Sequence, residues 1–231
     1  TYDGGDIEVK AGETTAAITR GGTISITAGT ATATTAAEGG SMLVHGGRGH
    51  SFTGGSISLS TGEGTIMSSG GLVLRTVNAG TSGVSGALSF TSGTASSGGS
   101  GSISLFTGAA THGEGGDILV SVGKSKTDTG GDIYVIAGDS TPFTGGAVSL
   151  TTGEGTDTSS GAFIVRTVNA GTAGVSGELS FTSGTTSSGT SGEIAIATGR
   201  ATNGKGGDIL VSVGSGTTFT GGDIVATAGL S

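Results

Sequence analysis

The stretch Gly115-Gly116-Asp117-Ile118-Leu119-Val120-Ser121-Val122-Gly123 returns at 206–214, and looser copies of the form Gly-x-Φ-x-Φ-x-x-Gly, with Φ apolar, run from end to end. A glycine-bounded segment repeated at a short fixed interval restricts a chain to repeat architectures. Taking as anchor the glycine two residues before the first apolar position gives fifteen anchors, from Gly5, Gly22, Gly40, Gly55 and Gly70 to Gly222. The intervals are 17 and 18 at the start and then 15, with 16 at Gly70 to Gly86 and at Gly161 to Gly177.

Two residues past each anchor stands a row that includes Ile7, Ile24, Met42, Ile118, Ile133, Val148, Phe163 and Ile209. Four past it stands a second row, with Val9, Ile26, Leu59, Phe90, Val120, Val135 and Val211. Neither row contains a charged or polar side chain at any of its fifteen positions. Alternation with period two is the mark of a strand with one face covered. Fifteen residues at ~3.3 Å each make a circuit of about 50 Å, room for two short strands and two tight turns. Glycine at the corners suits sharp turns because it has no Cβ to clash at positive φ.

The expected fold is therefore all-β: a β-solenoid (β-helix) of about fifteen coils of ~15 residues, with a thin two-sheet cross-section. The two rows would form inward columns, with Ile118, Ile133 and Val148 stacked directly over one another. The chain reads as a single continuous solenoid over 1–231 and as a fragment of a longer array. A longer period lies over the short one: adding 91 to Gly55, Gly70, Gly86, Gly101, Gly116 and Gly131 reaches the next six anchors, so six-coil blocks at about 54–144 and 145–231 are tandem copies. Arg75-Thr76-Val77-Asn78 recurs at 166–169, and Phe52-Thr53-Gly54-Gly55 recurs at 143–146 and 219–222.

Composition narrows the alternatives. Glycine supplies 52 of 231 residues, with one proline and no cysteine, against roughly 7% glycine in ordinary domains. Collagen is excluded because glycine does not fall at every third position. A net charge of −8, from 17 acidic and 9 basic residues, argues against nucleic acid, whose binding needs a clustered basic footprint. No apolar run approaches the ~18 residues of a membrane span, and no signal peptide is visible.

The candidate chemistry is sparse. His45 and His50 share one repeat, but the positions matching His45 are Ile136 and Thr227; exposed turn residues are the simpler reading for them and for His112. Gly123-Lys124-Ser125 has the ending of a phosphate loop without its first glycine, and so reads as a turn. Asp117 and Asp132, and likewise Asp208 and Asp223, take the same outward position on neighbouring repeats. Stacked carboxylates repel unless a cation or a lysine intervenes, so calcium is weighed there against a solvated edge. No other metal, no cofactor and no catalytic set is expected. Arg75 and Arg166 lie in the two 16-residue repeats and suggest a bulge. The outward rows carry Phe106, Leu119, Tyr134, Ile136, Ile164 and Leu210, an apolar surface expected to pack on a partner.

The Gly-Gly-x-Ile-x-Leu-x-x-Gly style resembles the glycine-, serine- and threonine-rich repeat arrays of cell-surface and secreted proteins of marine microalgae such as diatoms. The likeness runs from Gly4-Gly5-Asp6-Ile7 to Gly221-Gly222-Asp223-Ile224. It implies an extracellular or cell-surface location and a fibrous or adhesive role, and carries over no site residues. The expected function is that of a non-catalytic structural protein, a rod-like building block of an extracellular fibre, filament or cell-surface adhesin. Its expected partners are other solenoids, through self-association or lateral packing, and a polysaccharide or mineral surface. The rival readings are an ice-binding (antifreeze) solenoid and a glycan-binding or glycan-processing β-helix. The row from Lys10 that ice binding would use holds Thr27, Thr91, Thr151, Thr182 and Thr227 but is broken by Arg75, Phe106, Ile136 and Arg166.

Overall fold

In a computed structural model, residues 4–15, 20–33, 37–217 and 220–229 are described; Phe219, one of the three repeated phenylalanines, lies outside them. The chain divides into two units, Thr1–Ile118 and Leu119–Ser231, each built from the same local plan.

That plan keeps the sequence period. Three-residue bends lie at 50–52, 65–67, 81–83, 96–98 and 111–113 in the first unit. They continue at 126–128, 141–143, 156–158, 172–174, 187–189 and 202–204 in the second. Each bend begins five residues before its anchor glycine, in the 16-residue repeats as well as the others, so the extra residue there sits upstream of the bend. Thr141–Pro142, a cis peptide bond, occupies one of the bends.

Across several bends, backbone bonds join glycine to glycine. Gly55 N–H donates to the Gly47 carbonyl (2.8 Å) and Gly70 to Gly62 (3.0 Å); in the second unit Gly146 donates to Gly138 (2.9 Å) and Gly161 to Gly153 (3.0 Å). Each bond closes a loop spanning eight residues around a bend. In the two long repeats at the start, Gly22 donates to Gly12 (2.8 Å) and Gly40 to Gly29 (2.9 Å), spans of ten and eleven. The acceptor always lies seven residues past its own anchor. The segment length is thus fixed, and the loop absorbs the two or three added residues.

Five further repeats use a second device. Gly83, Gly98 and Gly113, and Gly174 and Gly189, hold φ of +101 to +137°, and each is the third residue of its bend. An L residue with a Cβ rarely adopts such a φ. Four pairs of repeats 91 residues apart behave alike: anchors 55 and 146 close by hydrogen bond, as do 70 and 161, while anchors 86 and 177, and 101 and 192, follow a positive-φ glycine; anchors 116 and 207 differ, since Gly113 has a positive φ and its counterpart Gly204 does not.

The all-β solenoid is overturned. Among the described residues there is no strand and no helix, and no side chain is buried. β-Solenoid, β-helix and two-sheet coil do not describe this chain, and the two inward columns do not form a core. A coil of that kind needs two turns per repeat and neighbouring backbones ~4.8 Å apart. Here each interval from Gly40 to Gly207 bends once, and the glycine-to-glycine backbone bonds close a loop within one interval.

The exposed surface shows the consequence. It amounts to 23375 Å² for a chain of 21.6 kDa. A compact folded monomer of this mass exposes about 9,200 Å² and its unfolded chain about 31,000 Å². The residues that come nearest to being covered are Ala11, Ala28, Gly64, Ser125, Ala137 and Gly155, all at the mouths of loops or within them.

Candidate functional site

Exposure alternates along several segments. Ile133 is 55% exposed and Tyr134 78%, then Val135 71% and Ile136 83%. In the twin segment Ile209 is 55%, Leu210 87% and Val211 68% exposed. The rows expected to face inward are therefore the better covered ones, but covering stops near one half.

One row that the sequence pattern left as a free position has a fixed partner. The residue six past each anchor meets the next anchor glycine: a Cβ on Gly70 would lie 3.4 Å from Thr61 Cβ, and on Gly86 3.4 Å from Thr76 Cγ2. In the second unit a Cβ on Gly131 would come within 2.9 Å of Val122 Cγ1, as would one on Gly222 with Val213 Cγ1. The signal was available, since this row contains only Ala, Gly, Ser, Thr and Val. Small size there is a packing requirement at the loop mouth.

The expected apolar surface is exposed throughout. Phe106 lies in the first unit; Leu119, Tyr134, Ile136, Ile164 and Leu210 lie in the second, and all six are more than three-quarters exposed. Two of the four aspartates, Asp132 and Asp208, are engaged locally. Tyr134 Oη donates to Asp132 Oδ2 at 3.0 Å, and Lys205 Nζ donates to Asp208 Oδ2 at 2.8 Å as a solvent-facing ion pair. Asp117 falls in the first unit and Asp132 in the second. Among the described residues no three His, Asp or Glu side chains converge on one point; His45, His50 and His112 are exposed.

At Gly123-Lys124-Ser125 the loop folds on its own side chains. Ser125 Oγ accepts from Asp128 N–H (3.1 Å), and Asp128 Oδ1 accepts from Thr129 N–H (2.8 Å). Thr186 Oγ1 donates to the Ser188 carbonyl (3.1 Å) and accepts from Ser188 N–H (3.3 Å); Ala95, its twin, has no hydroxyl for this. Arg166, Thr167, Val168 and Asn169 line an open dimple of about 230 Å³. In that repeat Val168 stands where most repeats have glycine, as Val77 does in its twin. With no strand among the described residues, the extra residue is not a bulge.

What the arrangement offers is apolar rows, hydroxyl-bearing loops and scattered exposed charge. No helix among the described residues is long and apolar enough to cross a membrane. The chain matches no protein-family model, and no curated protein or solved structure is similar to it.

Proposed function

We propose that this chain is a non-catalytic structural protein, a repeat array that serves as a building block of an extracellular fibre, filament or cell-surface adhesin. The observation that carries this reading is the two apolar rows, repeated fifteen times and left about half exposed or more wherever they are described. A protein that works on a small substrate concentrates its chemistry at one concave place; this one distributes a single surface motif along its length. Proteins whose role is assembly present repeated, coverable surface, and exposed apolar area marks where a partner sits. The loops, rich in serine and threonine, suit contact with polysaccharide or mineral. The resemblance to microalgal surface arrays agrees with this role, and the rod-like section expected of a solenoid forms no part of it.

Immunogold electron microscopy of native material tests the reading. Label on extracellular filaments or a surface layer is the expected result; label confined to a soluble, dispersed pool would refute it.

A further inference from the structure

The conformation exposes roughly three-quarters of the surface of the unfolded chain, some 14,000 Å² more than a compact monomer of the same mass would. A standard protein interface removes only about 1,600 Å², so the uncovered area exceeds by far what a stable association needs. Its character is specific. Segments such as 131–138 and 207–214 alternate better- and less-covered side chains, as Ile133/Tyr134/Val135 and Ile209/Leu210/Val211 do. Their backbones join no ladder, because the described residues include no strand. The one proline, Pro142, lies in a bend, so no segment lacks a backbone donor. An unpaired, proline-free, alternating segment is a template for another of its kind.

Spacing selects the partner. The anchors step by 15 with 16-residue intervals at Gly70 and Gly161. A surface of uniform repeat would lose register at each of those two places, whereas a second copy carries the same interruptions.

We propose that the partner is a second copy of this chain, whose Gly-x-Φ-x-Φ-x-x-Gly segments pair with those of the first through their backbones so that the apolar rows of the copies cover one another. This deepens the structural reading above and rests on it. Like charge opposes the pairing, since each copy carries −8; added salt screens that repulsion and promotes assembly.

The test uses the full chain, purified as monomer, over a concentration series followed by sedimentation. Fibre diffraction reads backbone pairing as a reflection at about 4.7–4.8 Å. The expected result is association above a threshold concentration that falls with added salt, with the reflection present in the sediment. Replacing both Ile133→Lys and Ile209→Lys raises the threshold about ten-fold or more, while Ser97→Lys with Ser188→Lys, the same charge change placed on bends, leaves it in place. Three results overturn the proposal: a chain that stays monomeric throughout, strand signal at monomer mass, or bend variants that act as strongly as row variants. Filaments labelled in native material alongside a purified chain that stays monomeric would sink this proposal alone. Self-association of a protein dispersed in native material would instead sink the structural role.

Discussion

Several of the most demanding positions are glycines inside the loops. A Cβ on Gly64 would run into the carbonyl oxygens of Met67 and Ser68, and one on Gly155 into that of Ser159. Both contacts are with backbone, which cannot swing aside as a side chain does. Gly62, at the mouth of the same loop, has open space around its Cβ position. Gly64→Ala is therefore expected to spring the Gly70-to-Gly62 bond, while Gly62→Ala keeps it. The net value of such a bond is about 0.5–1.5 kcal/mol, so amide exchange at Gly70 should quicken roughly 2- to 12-fold in Gly64→Ala and stay unchanged in Gly62→Ala. At Gly98 and Gly189 the obstacle is conformational, since φ of +101° and +112° disfavours any residue with a Cβ. Alanine at either is expected to open the bend at a cost of about 1–3 kcal/mol, read as loss of the bend's chemical-shift pattern in NMR.

A repeat consists of a segment of constant length and a loop of variable length. Loops spanning eight, ten and eleven residues close with the same Gly-to-Gly geometry, and lengthening a loop from eight to ten adds only about 0.2 kcal/mol of closure entropy. Inserting two residues between Thr65 and Met67 should accordingly leave the Gly70 amide as protected as before. Inserting one residue between Ile133 and Val135 should exchange the exposed and half-covered faces and abolish salt-promoted association. Part of this was legible in the sequence: the period and the fixed segment both reappear. The ladder was not. Alternation in Ile133-Tyr134-Val135-Ile136 states which side chains share a face, but is silent on whether the covering surface lies in the next repeat or in another molecule. Likewise, the matching positions of Asp117 and Asp132 gave no hint that Tyr134 would take up Asp132. The small row of Thr61, Thr76 and Val122 was visible, but its role needed the loop mouth to be seen.

For the molecule as a whole, surface area governs what can be measured. An ordinary domain of 231 residues unfolds with about 0.7 kcal/mol of enthalpy per residue near 60 °C, or roughly 160 kcal/mol in all. A dilute chain that already exposes 23375 Å² has little left to expose, so calorimetry of the monomer should show a broad transition of well under half that enthalpy, and a sharp transition of full size would contradict the described conformation. The bonds between paired glycines carry one more consequence. Because every such staple begins and ends within a single interval, losing or gaining a whole interval severs none of the others. Array length is then free to drift by unequal recombination, and variants shorter or longer by one 91-residue block should keep the local geometry of every surviving unit.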